Sequence, residues 1–323
     1  MKLAKTYSYL KQDLDVIEKA LNETIRAKSQ VLRQASSQLL QAGGKRIRPV
    51  FVLLSGKFGQ YDLDRIKTVA VSLELIHMAS LVHDDVIDEA ELRRGKPTVK
   101  ARWDNRIAMY TGDYIFARSL ENLSELDNPR AHRILAKTMV ELCLGEMEQI
   151  RDKYNLNQNM RTYLRRIKRK TALLISSSCQ LGAIASSTSD SVEKALYWYG
   201  YNIGMSYQII DDILDFTSTE KQLGKPAGSD LLQGNITLPV LYAMDDAEVK
   251  GMLVDFARQS KEAPPGQLSG IIDKIKQTDA IDRSYEMSDR YLERALQSIE
   301  ILPDNRAKQT LIDIATYIGR RKS

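Results

Sequence analysis

Apolar side chains recur every three or four residues from the start of the chain: Leu3, Tyr7, Leu10, Leu14, Ile17, Leu21 and Ile25 fall on one helical stripe. Period-2 alternation, the mark of a half-buried strand, is almost absent, so the pattern predicts an all-α fold. The expected helices are 5–27, 29–42, 48–59, 62–90, 99–126 with a break near Gly112, 129–154, 159–187, 190–218, 236–245, 247–260, 266–277, 279–300 and 304–319. Several exceed the mean helix length of about 11 to 12 residues, which points to a large helical bundle around a central cavity. Gly43-Gly44, Gly95-Lys96-Pro97, Asn128-Pro129, Gly224-Lys225-Pro226 and Pro264-Pro265-Gly266 punctuate it. None of these reads as a linker, so residues 1–323 are expected to form a single domain.

Within the expected helix 62–90, Asp84-Asp85-Val86-Ile87-Asp88 places three carboxylates in five residues of an apolar run. On a helix Asp84 and Asp88 stack one turn apart with Asp85 rotated by about 100°, so their oxygens converge beyond the helix surface. At an effective dielectric near 20, two such charges about 4 Å apart repel by ~4 kcal/mol. A hard divalent cation with oxygen ligands, Mg²⁺ above all, would offset that repulsion. For one such motif alone a solvated acidic helix end is the competing reading. A second copy, Asp211-Asp212-Ile213-Leu214-Asp215, again lies in apolar sequence. Mg²⁺ held by few carboxylates completes its shell with substrate phosphates, so the pair of motifs points to a diphosphate ligand.

Other features change this picture in part. The composition is globular, 43% hydrophobic and 28% charged, and a net charge of +5 suits an anionic ligand without arguing for nucleic acid. Cys143 and Cys179 lack metal-ligand spacing and read as small buried hydrophobes of a reducing cytoplasm. Neither a signal peptide nor a membrane-length apolar run is read, which suggests a soluble protein that visits a membrane surface at most. Gly43-Gly44-Lys45-Arg46-Ile47-Arg48-Pro49 reads as a helix end followed by a helix start with an N1 proline; its cations make either a phosphate cradle or an ordinary basic turn. Ala70, Leu73, His77, Ser80, Asp84 and Asp88 share a stripe that turns polar towards the carboxylates, as a pocket wall does, though His77 alone is as readily a core histidine. Arg93-Arg94 follows on a loop, where guanidinium groups suit phosphate oxygens. The basic run 161–171 reads as a solvated face with Lys170 and Thr171 turned inward rather than as a nucleic-acid patch. Gly200, Gly204, Gln208, Asp211 and Asp215 share another stripe, read either as close helix packing or as room for a long apolar group. No Walker loop, GxGxxG fingerprint or GxSxG elbow is present in the sequence.

In this order, the Gly43–Pro49 segment, His77, the first aspartate motif with Arg93-Arg94-Gly95, Gly112-Asp113, Lys170-Thr171, Tyr207-Gln208 before the second aspartate motif, and Gly224-Lys225-Pro226 resemble the trans-polyprenyl diphosphate synthase family over nearly the whole chain. Within that family the chain looks like the catalytic component of bacterial two-component synthases of hexaprenyl or heptaprenyl diphosphate, which supply menaquinone side chains. The resemblance implies the isoprenoid synthase fold and repeated head-to-tail condensation of isopentenyl diphosphate onto an allylic diphosphate, farnesyl diphosphate being the expected primer. It also implies a smaller protein partner in a heterodimer. Asp84, Asp85, Asp88, Asp211, Asp212 and Asp215 would bind Mg²⁺, and Arg93, Lys170 and Lys225 would lie on the allylic diphosphate. Lys45, Arg48, His77 and Arg94 would hold isopentenyl diphosphate, and Thr171 and Gln208 would flank the developing carbocation. The small Ala79 and Ser80 stand where short-chain relatives carry bulky aromatics, so the product path is expected to reach down to Ile76 and Leu73.

One departure stands out: Gly234-Asn235-Ile236-Thr237 has a neutral amide where the family has a lysine, which weakens the expected hold on the allylic diphosphate. The tail Gly319-Arg320-Arg321-Lys322-Ser323 is either a lid on the isopentenyl site or a solvated end. A helical terpene cyclase shares the aspartate chemistry but needs no isopentenyl site, and a regulatory or lipid-binding subunit would not need intact aspartates.

Overall fold

The computed structural model describes residues 6–41, 43–44, 46–218, 227–259 and 266–321. Among them the fold is all-α apart from one ribbon of two two-residue strands, as the apolar spacing predicts. Lys45, Gly224, Lys225 and Pro226, along with Lys322 and Ser323, lie outside the described residues. The chain divides into two compact units, one built from Met1–Met139, Leu174–Gly200 and Ile299–Ile314, the other from Val140–Leu173, Tyr201–Ser298 and Ala315–Ser323.

In the first unit the long helix Leu63–Ile87, α4 in chain order, is the core element. The helices before it are α1 (Lys11–Thr24), α2 (Gln30–Gln41) and α3 (Ile47–Gly56). Asp62 starts α4 by accepting from the Asp64 amide at 2.9 Å, which satisfies one of the helix's first orphan donors. Ile66, Val69, Leu73, Leu75, Ile76 and Ala79 are all fully buried, so apolar side chains ring the helix rather than lining one face. Each large aliphatic removed from water in this way contributes about 1.5–3 kcal/mol before entropy is counted. By length and composition α4 is apolar enough to cross a bilayer, a correction to the sequence reading, but 67% of its most apolar window is buried inside the protein. It packs against α1, α3 and α6 (Asn105–Ser124).

Helix breaks follow capping chemistry more closely than glycine. The break expected near Gly112 is not there: α6 runs through it, and the interruption falls at Trp103-Asp104, between α5 (Val99–Arg102) and α6. Asp104 stops the chain because its carboxylate accepts from the Ile107 amide at 2.7 Å and restarts the helix. Gly112 is needed for a different reason, since a side chain there would collide with the His83 ring. Pro49 occupies the third position of α3 and not the first, still inside the turn whose amides need no helical partner.

The second unit takes in the latter part of α7 (Pro129–Arg151), α8 (Met160–Ile167), a π-helical turn at Lys168–Ala172 and, after α9 (Leu173–Ala185), the C-terminal stretch of α10 (Asp190–Thr217). The short helices α11 (Ser229–Leu232) and α12 (Leu238–Ala243) follow; α11 has no counterpart in the periodicity because four residues cannot display a stripe. Helices α13 (Ala247–Gln259), α14 (Gln267–Gln277) and α15 (Ala280–Ser298) close the unit before α16 (Arg306–Gly319). Its core joins Phe216, Leu231, Val240, Leu253, Phe256 and Ile271.

The glycine stripe of α10 is a packing device. A Cβ on Gly204 would lie 2.5 Å from the Ala172 backbone, and one on Gly200 would lie 2.9 Å from the Ser176 backbone. Backbone therefore occupies the space that the alternative reading reserved for an apolar chain. Cys179 is buried, with its thiol pushed up to about 12 by that burial, whereas Cys143 is exposed, contrary to the expectation for both.

Candidate functional site

In the first unit α4 ends at Ile87, so Asp88 is its C-cap and not a helical residue; its amide still donates to the Asp84 carbonyl at 2.8 Å. Glu89 then turns into the left-handed region at φ 52° and sends the chain away. Three carboxylates thus crowd the negative end of a helix dipole, which adds to their mutual repulsion. The three differ in surroundings. Asp85 is 2% exposed and paired with Arg93, whose Nε lies 2.8 Å from Oδ1; burial raises its carboxyl above the usual range against the pull of Arg93. Asp84 and Asp88 are only half-buried. Carboxylate oxygens at an accessible helix end suit a hard cation such as Mg²⁺ or Ca²⁺.

The loop expected at Arg93-Arg94 is a hairpin in which β1 (Leu92–Arg93) pairs antiparallel with β2 (Lys96–Pro97). Arg94 and Gly95, at φ 53° and 75°, have the two left-handed conformations that a two-residue type I′ turn requires. An arginine in that conformation is uncommon, and it brings the guanidinium against Gly44, where a Cβ would lie 2.8 Å from Nη1. Arg46, also left-handed at φ 46°, is committed elsewhere: its guanidinium binds Glu18 at 2.8 and 2.9 Å and the buried Glu74 at 3.1 Å.

His77 feels all of these cations. Burial, then the fields of Arg48, Arg94, Arg93 and Arg46, hold its imidazole well below the usual histidine range, so it is neutral at pH 7. The unfolded chain titrates near the ordinary value of about 6.5 and takes up a proton that the folded protein refuses. Stability contributed by this group is therefore complete above pH ~6.5 and declines below it, by at most about 1.4 kcal/mol per pH unit. Urea unfolding at pH 7.5 and 5.5 should show a smaller loss for His77→Gln than for the wild type; equal losses would remove His77 from the account.

Along the same face, Ser80 Oγ donates to the His77 carbonyl at 2.8 Å and remains partly exposed, while Ala79 and Ile76 are fully buried. One turn further on, His83 Nε2 lies 3.3 Å from Asp113 Oδ1 and its ring packs on Phe116 at 5.5 Å between centroids. Sequence reading gave His83 no place; the Gly112-Asp113 pair beside it is the signal that was available.

In the second unit α10 presents Asp211, Asp212 and Asp215 in three different settings. Asp215 is fully buried and accepts from Ser229 Oγ at 3.0 Å and the Asp230 amide at 3.1 Å, which ties α11 to α10. Asp212 is buried too, its Oδ2 accepting from the Tyr163 hydroxyl at 2.7 Å and its Oδ1 from Gln208 Nε2 at 2.8 Å. Burial first, then the charge of Asp230, push its carboxyl up to about 7 against Gln208, Tyr163 and Arg166. Asp211 is the open one, 36% exposed, and faces Arg321 Nη1 at 2.9 Å, with that guanidinium also over the Tyr207 ring. The described part of the tail therefore meets the second aspartate motif.

The basic run is less solvated than its sequence suggests. Arg166 is 5% exposed, donates to Gln158 Oε1 at 2.7 Å and to the Ile236 carbonyl, and supplies a cation near Asp212. Arg169 is held by Glu141 and Glu148, and Lys170 Nζ lies 3.2 Å from Glu146 and 3.1 Å from Gln149. Lys170 and Thr171 fall in the π-helical turn, a feature common at functional sites. Thr171 Oγ1 donates to Gln208 Oε1 at 2.7 Å. Asn235, at the position of the missing lysine, donates its amide to the Asp230 carbonyl at 2.8 Å, and its side-chain oxygen meets no hydrogen-bond donor among the described residues.

The sequence pattern of the polyprenyl synthetase family matches residues 29–273. Over 322 residues the chain is 63% identical to heptaprenyl diphosphate synthase component 2 of Bacillus subtilis, covering 100% of this chain and 92% of that one. The solved heptaprenyl diphosphate synthase of Staphylococcus aureus has a TM-score of 0.92 at 44% identity, covering 97% of this chain and 99% of that one. A Caulobacter crescentus polyprenyl synthase, solved with calcium and isoprenyl diphosphate, has a TM-score of 0.94 at 26% identity, covering 100% of this chain and 98% of that one.

Proposed function

The chain belongs to the polyprenyl synthetase family and is a prenyltransferase, and we propose that it condenses isopentenyl diphosphate repeatedly onto an allylic diphosphate, farnesyl diphosphate first, to give all-trans heptaprenyl diphosphate for a menaquinone side chain. The observation that carries this reading is that one helix bears both halves of the recognition problem. Its C-terminal end offers Asp84 and Asp88, and less than two turns earlier a neutral His77 stands in the field of Arg48, Arg93 and Arg94. The first suits metal-bound diphosphate and the second a metal-free one. A terpene cyclase needs only the first.

Asp84, Asp88 and Asp211, the accessible carboxylates, are the direct metal ligands in this reading, and Asp85, Asp212 and Asp215 support them. Bound Mg²⁺ would supply Lewis-acid charge to the departing diphosphate. Arg93, Lys170 and Lys225 bind that leaving group, and Lys45, Arg48, His77 and Arg94 orient isopentenyl diphosphate. Thr171 and Gln208 turn oxygen atoms towards the carbocation. Positioning the alkene next to the ionising carbon replaces an encounter with a short approach, and no side-chain nucleophile is required. Residues 1–323 act as one synthase domain, in keeping with a family match that takes in parts of both compact units.

The relative's name, component 2, supports a requirement for a second protein, which we take to be the smaller subunit. So does a stripe on α7, where Val140, Leu144, Met147 and Ile150 are 58, 44, 64 and 42% exposed on one helix face, a costly surface to leave in water. In this reading the reaction runs in the cytoplasm, with the long product passing to a membrane surface. Incorporation of labelled isopentenyl diphosphate, measured with Mg²⁺ and farnesyl diphosphate with and without the Bacillus subtilis partner component, tests all of this. Incorporation into a heptaprenyl product only with the partner is expected; turnover near 1 s⁻¹ by the chain alone would refute the partner requirement, and none in either case would refute the reaction.

A further inference from the structure

We propose that Tyr163 is a positioning residue for the condensation, acting through Asp212 to fix which way round the Gln208 amide stands. The proposal rests on the prenyl-transfer reading above. Its basis is a closed chain of hydrogen bonds: Tyr163 hydroxyl to Asp212 Oδ2 at 2.7 Å, Gln208 Nε2 to Asp212 Oδ1 at 2.8 Å, and Thr171 Oγ1 to Gln208 Oε1 at 2.7 Å. The two ends of a glutamine amide have nearly the same shape, so its orientation is decided by neighbours and not by packing. Both carboxylate oxygens of Asp212 act as acceptors here, Oδ2 from Tyr163 and Oδ1 from the Gln208 nitrogen, so it is the nitrogen of Gln208 that faces Asp212. The oxygen is then left on the Thr171 side, where its second lone pair presents negative charge to a developing cation.

This order depends on Asp212 itself being held. Tyr163 is fully buried with its hydroxyl donating to Asp212 Oδ2, and its ring is fixed by the packing around it. Gln208 and Asp212 are four residues apart on α10, on one face. Tyr163 and Thr171 reach them from opposite ends of a single stretch, α8 and the π-helical turn that follows it. Two rigid backbones therefore pin all four side chains, and loss of the Tyr163 hydroxyl leaves Asp212 free to rotate and Gln208 free to invert.

Tyr163→Phe keeps the ring and its packing while deleting only the hydroxyl. With the partner component present, kcat is expected to fall about 10-fold, the value of one buried hydrogen bond, while KM for isopentenyl diphosphate changes less than about 2-fold. The deciding measurement is a double-mutant cycle with Gln208→Ala. If Tyr163 acts through Gln208, Tyr163→Phe costs nothing further in the Gln208→Ala background. Independent, multiplying losses overturn the proposal, as does a variant with a lower Tm but wild-type kcat, which would make Tyr163 a core residue only. Absence of incorporation by the wild-type pair would instead overturn the reaction assignment, so the two failures are distinguishable.

Discussion

Asp84→Ala and Asp211→Ala are each expected to lower turnover at least about 10²-fold while leaving helical content and melting temperature near those of the wild type. Both side chains are partly exposed and neither is sealed into a core, so the fold does not depend on them. In the proposed reading each provides negative charge that would fix a divalent cation against the leaving group, an interaction that matters most as the bond to diphosphate breaks. Asp215 should behave differently. It is fully buried, and its oxygens hold Ser229 and the Asp230 amide, so Asp215→Ala leaves orphaned donors and should cost about 1–3 kcal/mol of stability as well as activity. Circular dichroism melts beside steady-state rates separate the two cases. Full activity in Asp84→Ala or Asp211→Ala would end the metal-ligand assignment.

Ser80→Phe is expected to shorten the product to about three or four isoprene units, with the first condensations preserved. In the proposed reading a chain growing from the metal site passes along α4, and each helical turn of ~5.4 Å is close to the length of one extended isoprene. Ser80 is the first position below Asp84 on that face and is partly exposed, whereas Ala79 has no exposure at all. A bulky ring at Ser80 replaces a partly exposed side chain, but one at Ala79 must displace packed core and risks the roughly 1–3 kcal/mol cost of overpacking. Ser80→Phe is therefore the cleaner probe of depth, and Ile76 and Leu73 mark the levels it would cut off. Mass-spectrometric sizing of the dephosphorylated products with the partner present decides the matter: an unchanged long-chain distribution from an active variant would mean that the chain leaves by another face.

Helices with a long apolar stripe were legible almost to the residue, because burial imposes a period that no other feature mimics. α10 and α15 begin and end within a few residues of the expected bounds. What spacing misses is set by single side chains acting on the backbone. Asp104 breaks a helix where Gly112 was expected to, α4 ends at Ile87, three residues short of the expected end at 90, with Glu89 left-handed beyond it, and Arg94 takes a conformation usually left to glycine or asparagine. The site follows the same division. Both aspartate motifs declare themselves by charge in apolar sequence, but their internal division between open and buried oxygens depends on Arg93, Tyr163 and Ser229, which come from other segments. Arg166 shows the limit of composition: amid a basic run it reads as solvated, yet it is one of the buried cations.

The π-helical turn at Lys168–Ala172 has a bearing on how this sequence can change. Such a turn is an α-helix that has absorbed one extra residue, and everything beyond it is set back by about 100° relative to an unbroken helix. Deleting a single residue there would let the segment relax into regular α-helix, with its own hydrogen bonding improved. The same deletion would rotate Thr171 away from Tyr163's side of the helix, and one of the two would lose its hold on Gln208 or Asp212. The helix beyond the turn, α9, is buried almost all round, and its Gly182 lies close against the Val52 backbone, so the same rotation would take its packing out of register. The extra residue is thus held in place both by the chemistry before it and by the core after it.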